Sequence, residues 1–143
     1  MKNRFFILSL LFVITAAFTV PFCRKTESGG GIKFSEMRLA DAMKEAKKTG
    51  QLIFIDVHTS WCGPCKQMAK TTFQAENVGK LFNKKFINLK IDAEKDPDGA
   101  DVSNAYSVAA YPTLLFINAE GKLVKKVVGM QSEEKLLAVA NKL

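Results

Sequence analysis

Cys62 and Cys65 are the residues of this chain whose type and spacing best suit redox chemistry. The apolar run 52–55 precedes them and a helical pattern follows them, so they lie where a buried strand leads into a helix. A thiol in the first turn of a helix faces unpaired backbone N–H groups and the positive end of the helix dipole, and both favour the thiolate. We therefore predict Cys62 as an exposed nucleophile and Cys65, one turn later and deeper, as the resolving thiol.

The two residues between the cysteines suit this position. Pro64 fits the first helical turn, where a missing N–H costs nothing and a fixed φ favours the helix. Gly63 has no side chain, so the backbone of a partner can approach closely. We expect both residues to hold the two thiols rigidly and to contact a substrate.

Asp56 lies near the end of the same apolar strand, six residues before Cys62. Because residues 52–57 are almost continuously apolar, we expect a central strand in a covered sheet and a buried Asp56 carboxylate. Burial disfavours the charged form and leaves a group that exchanges protons near neutral pH. A capping or pairing role is the alternative, but the position before the cysteines favours a catalytic one.

The sequence from Trp61 to Lys66, Trp-Cys-Gly-Pro-Cys-Lys, resembles the active site of the thioredoxin family at every residue. The preceding carboxylate of Asp56, the Tyr111-Pro112-Thr113 segment and Gly129 resemble further motifs of that family. The resemblance covers residues 34–143, and the combination of motifs is highly specific.

The resemblance implies an α/β fold, a thioredoxin-like three-layer α/β/α sandwich with a mixed central sheet. It also implies that Asp56 exchanges protons with Cys65, and that Tyr111 and Pro112 form a cis-proline loop beside Cys62 that orients the substrate. Together with Trp61, these two loop residues are the expected substrate contacts. The residue-based alternative for Pro112 is an ordinary trans proline that opens a strand.

Three positions depart from the thioredoxin pattern. His58, the only histidine, stands where thioredoxins usually have an aromatic residue. It could tune Cys62, but a surface histidine is the more frequent outcome, so we leave it out of the catalytic set. Lys70 replaces the proline that breaks the corresponding thioredoxin helix, and Asn88 replaces the lysine that pairs with the buried carboxylate. The proton relay is therefore expected to differ.

Residues 1–22 form a predicted signal peptide or membrane anchor. Lys2 and Arg4 give a positive start, residues 5–18 are mostly apolar, and small residues follow before Pro21. The apolar run is shorter than the roughly 20 residues of a membrane-spanning helix, which favours cleavage, and Thr19 is the expected site. A cleaved signal peptide and a retained anchor both predict an exported domain, which is either periplasmic or tethered to the membrane and facing the periplasm.

Residues 23–33 are predicted to be a flexible linker, because they are mainly polar and rich in glycine. Cys23 allows two interpretations, a lipidated first residue of the mature chain or a free cysteine in a tether. The bulky Phe22 before it fits lipidation poorly. Residues 34–143 are then the thioredoxin-like domain.

Composition allows one core and one domain, since 48% of the residues are hydrophobic. The formal net charge is +7, and without Lys2 and Arg4 there are 19 basic against 14 acidic residues. The lysines are scattered and no aromatic residues alternate with them, so we expect no nucleic-acid partner. We expect a monomer with a solvated surface.

Periodicity and turn residues predict the remaining elements. A first helix over 34–49 would begin at Ser35 as N-cap and end at Gly50, and a last helix would begin at Ser132. Gly129 is expected to allow another backbone to approach closely. The other predicted elements are helices from Cys65 to about 72, over 76–82 and over 100–106, a strand over 86–91, and a hairpin of 114–117 with 123–128.

The expected activity is that of a thiol-disulfide oxidoreductase that reduces disulfides of exported proteins, because Cys-Gly-Pro-Cys resembles the reducing members of the family. No cofactor beyond a Cys62–Cys65 disulfide is expected, and a membrane thiol-electron donor would recharge it. A disulfide oxidase or isomerase is the first rival function. Copper(I) delivery by the same cysteines and a non-catalytic adaptor are two more. A zinc site lacks further ligands, so no metal site is predicted.

Overall fold

A computed structural model describes residues 30–143 of the chain. The predicted signal peptide or anchor, Cys23 and the first part of the predicted linker lie outside the described residues. The helices and strands, in chain order, are α1 Leu39–Thr49, β1 Leu52–His58, α2 Gly63–Lys70, a short 3₁₀ turn Thr72–Gln74, α3 Glu76–Lys85, β2 Phe86–Asp92, α4 Gly99–Ala105, β3 Thr113–Ile117, β4 Leu123–Val128 and α5 Glu133–Ala140.

The four strands form one sheet in the order β2-β1-β3-β4. Strands β1 and β2 are parallel, whereas β1 with β3 and β3 with β4 are antiparallel, so the sheet is mixed. Helices flank it on both faces. The predicted thioredoxin-like α/β fold with a mixed sheet is confirmed.

Strand β1 supplies side chains to both cores because successive residues of a strand point to opposite faces. Ile53, Ile55 and Val57 pack with residues of α1, α4 and the neighbouring strands. Phe54 packs on the opposite face, where its ring lies 4.8 Å from that of Phe82 and 5.1 Å from that of Phe116. Asp56 follows Phe54 on this second face.

Helix α1 buries the predicted apolar face, with Ala42 and Ala46 in the core, and ends at Gly50 with a φ of 73°. Its predicted start is wrong. The helix begins at Leu39 with Arg38 as N-cap, and Ser35 instead forms a parallel β-bridge with Leu89.

The folded domain begins before the predicted boundary at Phe34. Ile32 is buried, and its backbone N–H donates to the Phe73 carbonyl at 2.7 Å. A Cβ at Gly79 would lie 2.5 Å from the Gly31 carbonyl oxygen, so only a glycine lets the two backbones meet. The flexible-linker prediction is therefore wrong for residues 31–33, which are tied to α3 and the 3₁₀ turn.

The predicted hairpin of β3 and β4 is present, and β4 is an edge strand. Gly129 follows β4 with a φ of 88°, and its N–H donates to the Pro112 carbonyl at 2.8 Å. A Cβ at Gly129 would meet no atom within 4 Å. The expectation of close approach at Gly129 is wrong, since its backbone angle is what favours glycine.

Helix α5 begins as predicted, because the Ser132 side chain accepts a hydrogen bond from the Lys135 N–H at 3.3 Å. Leu136 and Ala140 anchor the helix in the core beside Phe116. No helix between residues 30 and 143 has the length and hydrophobicity that crossing a membrane requires.

Candidate active site

The site is built where β1 ends and α2 begins. Cys62 is the N-cap of α2, Pro64 lies in its first turn, and Cys62 is joined to Cys65 by a disulfide of 2.04 Å with the two Cα atoms 5.4 Å apart. The strand-to-helix position and the bonding distance that the sequence predicts for the two cysteines are both present.

The backbone of α2 also interacts directly with Cys62. The N–H of Cys65 donates to Cys62 Sγ at 3.2 Å. A sulfur at the N-cap, with a backbone N–H directed at it, is stabilised as the thiolate once the disulfide is reduced. This contact favours Cys62 over Cys65 as the nucleophile.

The expectation that Cys62 is exposed is wrong for this disulfide form. Cys62 and Cys65 are each only 3% exposed, so burial does not distinguish them. The disulfide joins the two residues in one closed ring. What distinguishes the cysteines is the N-cap position of Cys62.

Asp56 lies on β1, six residues before Cys62, and is completely buried. Neither carboxylate oxygen has a hydrogen-bond partner among residues 30–143. Burial raises the pKa of Asp56 from 3.8 to about 7, and the nearby charge of Lys90 opposes that rise. The carboxyl therefore gains and loses a proton near neutral pH, as a group that exchanges protons with a thiol must.

Lys90 is a residue that sequence reasoning missed. The parallel register of β1 and β2 pairs Asp56 with Lys90, whereas Asn88 pairs with Phe54. The Asn88 amide instead donates to Asn83 Oδ1 at 3.3 Å and to the Lys33 carbonyl. Although Asn88 has no charge, a lysine of the same strand still acts on the buried carboxylate. Only the register, which the sequence does not show, could have revealed it.

Trp61 forms an exposed wall beside the disulfide, with 65% of its surface accessible. Its indole N–H donates to both carboxylate oxygens of Glu94, at 3.0 and 3.1 Å. Its ring also meets the Tyr111 ring edge-on, with 5.9 Å between centroids. Glu94, another residue that the sequence did not single out, thus fixes the orientation of Trp61.

The Tyr111–Pro112 peptide bond is cis. Pro112 is buried and its carbonyl accepts the N–H of Gly129, and the Thr113 hydroxyl donates to the Ala110 carbonyl at 2.7 Å. The contact of Tyr111 with Trp61 brings this loop to the disulfide. Gly63 has open space above it, since a Cβ there would meet nothing within 4 Å.

His58 is half-buried at the end of β1. Its Nδ1 is buried and has no hydrogen-bond partner among the described residues. Burial lowers the pKa of His58 below its usual value of 6.5, and Lys90 lowers it further. The expectation of an ordinary surface histidine is therefore wrong.

The residues described contain no group of three or more His, Cys, Asp or Glu side chains arranged to hold a metal ion.

Lys70 ends α2 on the protein surface, and α2 runs without interruption from Gly63 to that residue.

Comparison with known proteins agrees with this geometry. Residues 39–143 match the model of the thioredoxin-like domain. Thioredoxin H-type 2 of Nicotiana tabacum is 38% identical over 98 residues, which cover 66% of this chain and 76% of the relative. The thiol:disulfide interchange protein DsbD of Vibrio cholerae is 32% identical over 102 residues, 69% of this chain but only 17% of the relative.

Among solved structures, a candidate disulphide-isomerase of Bacteroides thetaiotaomicron is 43% identical, with a TM-score of 0.68 over 78% of this chain and 92% of that one. The family match covers the strand-to-helix junction and the cis-proline loop described above. The chain therefore belongs to the thioredoxin-like family and is a protein-disulfide oxidoreductase whose redox centre is the Cys62–Cys65 pair.

Proposed function

We propose that this chain is an exported reductase that opens disulfide bonds of periplasmic proteins. The observation that carries the proposal is the disulfide at the N-terminus of α2, together with the fully buried Asp56 on the strand that precedes it. This arrangement supports a thiolate at the helix terminus and a proton-exchanging group for its partner.

The reaction begins with the reduced protein. The Cys62 thiolate attacks one sulfur of a substrate disulfide, which forms a mixed disulfide and releases the first substrate thiolate. Asp56 accepts the proton of Cys65, and the Cys65 thiolate then attacks Cys62 Sγ. The Cys62–Cys65 disulfide forms, and the second substrate thiolate leaves.

The surface around the disulfide would bind the substrate. Trp61 provides an exposed apolar ring, Tyr111 packs on it, and Gly63 leaves room for an extended backbone. Pro112 and Pro64 would complete the walls of this site. Main-chain contacts of this kind accept many sequences, which suits a broad range of unfolded or partly folded substrates.

The catalyst needs no further cofactor, but each cycle leaves it oxidised, so an electron donor must restore the dithiol. We propose a membrane thiol-electron donor. The likeness of this domain to part of a thiol:disulfide interchange protein supports a donor of that chemical class. Residues 1–22 would direct export or tether the monomeric domain to the membrane.

The test is an insulin reduction assay with dithiothreitol as donor. Wild-type protein should accelerate insulin precipitation, whereas Cys62→Ser should abolish the acceleration and Cys65→Ser should accumulate mixed disulfides. Equal activity of wild type and Cys62→Ser would rule out the proposal. Mass spectrometry of substrates trapped by Cys65→Ser in the periplasm would name the substrates and test export.

Isomerase activity is the second candidate function, and the likeness to the candidate disulphide-isomerase supports it. The two functions differ in what they do to a scrambled disulfide protein without an external reductant. An isomerase restores the activity of scrambled ribonuclease when supplied with a catalytic amount of reduced enzyme. A reductase yields free thiols in stoichiometric amount and little ribonuclease activity.

A further inference from the structure

The buried position of Asp56 leaves its carboxyl without direct access to solvent. Its side chain is fully buried, and its oxygens have no hydrogen-bond partner in the described part of the chain. Asp56 can accept the proton of Cys65 only in its ionised form, so an Asp56 that is protonated must first lose its proton to solvent. A group between Asp56 and solvent would speed that loss.

His58 lies in the right place to be that group. It follows Asp56 by two residues on β1, so both side chains point to the same face and their Cα atoms are roughly 6.6 Å apart. His58 is only half-buried, while its Nδ1 is buried and unpartnered among residues 30–143. One side of the ring thus faces the interior and the rest reaches towards the surface.

Two cavities share His58 in their linings. A cavity of about 200 Å³ is lined by Cys65, Lys66, Thr59 and His58, and it lies directly beside the resolving cysteine. A second cavity of about 500 Å³ is lined by Asp96, His58 and residues of the segment before α1, and it opens at the surface. Both volumes are large enough for water. His58 and Lys90 line both cavities.

Several of the unpartnered polar atoms belong to residues 56–59 at the end of β1. The Thr59 hydroxyl is buried and, like His58 Nδ1 and both Asp56 oxygens, has no partner in the described region. Thr59 and His58 both line the smaller cavity. Such a concentration of unpartnered polar atoms at one strand end leaves several groups able to bind water or to carry a proton.

The polar and charged groups around His58 come from three elements. The Asp56 backbone lies on β1, Lys90 and Asp92 lie on β2 with Asp96 just after it, and Lys66 lies on α2 beside Cys65. Burial and Lys90 lower the pKa of His58, while the backbone of Asp56 and the carboxylates of Asp92 and Asp96 raise it, and the net effect is a lower pKa than usual. The ring is therefore neutral at pH 7 and able to accept a proton.

We propose that His58 is a positioning residue that carries the proton between Asp56 and solvent during the resolving step. This inference rests on the proposed function. An Asp56 that begins protonated first passes its proton to the His58 imidazole, and the imidazolium releases it through the larger cavity. The ionised Asp56 carboxylate then accepts the proton of the Cys65 thiol. The Cys65 thiolate forms the bond to Cys62 Sγ while the substrate thiolate leaves.

The experiment measures single-turnover oxidation of the reduced protein by a short peptide closed by one disulfide. Trp61 is the only tryptophan, so its fluorescence reports closure of the neighbouring disulfide. His58→Ala should slow the reaction about tenfold at pH 7, a loss somewhat below that usual for proton-transfer groups. Added imidazole should restore the rate in proportion to its concentration, because the vacated space would border both cavities.

His58→Phe is the matched variant, since it fills the position with a ring that carries no proton. It should be as slow as His58→Ala but insensitive to imidazole. Wild-type protein in the same imidazole concentrations controls for direct activation of Cys62. Far-UV circular dichroism of each variant checks that the fold is retained.

The outcomes separate the two proposals. A wild type that reduces the peptide and an inactive Cys62→Ser establish the disulfide chemistry without reference to His58. If His58→Ala then reacts as fast as wild type from pH 6 to 9, the proton-carrier role is overturned. A slow His58→Ala that imidazole does not rescue, with an unchanged pH profile, would assign His58 a structural role and would also overturn it.

Discussion

Replacing Asp56 with asparagine should stabilise the protein strongly at alkaline pH and hardly at all in acid. The carboxyl has no hydrogen-bond partner in the described region, and an asparagine has nearly the same shape without the charge. The rise of the Asp56 pKa from 3.8 to about 7 corresponds to about 4 kcal/mol of unfolding free energy. Asp56→Asn should recover about that amount at pH 8.

The sign follows from where the proton is held. Below pH 3.8 the carboxyl is protonated in the folded and the unfolded chain, so its burial adds no pH dependence. Between 3.8 and about 7 the unfolded chain loses the proton while the folded chain keeps it, so wild-type stability falls as pH rises. Above about pH 7 the Asp56 carboxyl is ionised in both the folded and the unfolded chain, and the full cost of burying its charge is reached.

The assay is urea unfolding of the oxidised protein, followed by circular dichroism at pH 4, 6 and 8. The oxidised form removes both active-site cysteines from the titration, and His58 is present in both proteins, so its contribution cancels in the difference. The difference between Asp56→Asn and wild type should grow from near zero at pH 4 to about 4 kcal/mol at pH 8.

Asp101→Asn is the matched control, because Asp101 is exposed on α4. Its effect should stay within about 0.5 kcal/mol of wild type at each pH. If the Asp56→Asn difference were the same at pH 4 and pH 8, Asp56 would not titrate between them. The assignment of Asp56 as a proton-exchanging group would then be refuted.

Three further changes test the geometry. Gly129→Ala should lower the free energy of unfolding in urea by about 1–2 kcal/mol because of the positive φ at that residue. Gly63 faces open space, so Gly63→Ala should change it by less than about 0.5 kcal/mol. Equal losses of stability in the two variants would contradict this reasoning. Gly79→Ala should cost about 1–3 kcal/mol and speed proteolysis of the adjacent N-terminal segment, and an unchanged digestion pattern would argue against that backbone contact. Glu94→Ala removes the acceptor of the indole N–H, so the fluorescence anisotropy of Trp61 should fall; an anisotropy equal to that of wild type would show that the hydrogen bond does not restrain the ring.

The elements that the sequence predicted well are those whose signals are local. The apolar run of β1 marks a buried strand wherever it packs, and Ser132 caps α5 through a hydrogen bond that spans three residues. The strand-to-helix junction at Cys62 is local in the same sense. These features needed no knowledge of the rest of the chain.

The features that the sequence missed depend on contacts between distant segments. Ser35 has the right side chain for a helix cap, but its backbone N–H donates to the Asn88 carbonyl at 2.8 Å, which holds that stretch extended. The position of Lys90 opposite Asp56 depends on strand register, where a shift of one residue would turn the side chain to the other face. Likewise, Gly31 and Gly79, whose backbones meet at the start of the domain, are far apart in sequence.

The outer edge of the sheet bears on how the protein would behave among the substrates proposed for it. Among residues 30–143, strand β4 leaves one side of its backbone unpaired, and it carries Lys125 and Lys126 in its middle. Lysines on an exposed strand hinder the addition of another strand, because a dry, flat contact would bury their charges. A reductase of partly folded chains would meet many extended segments, and this edge would hinder their addition to its sheet.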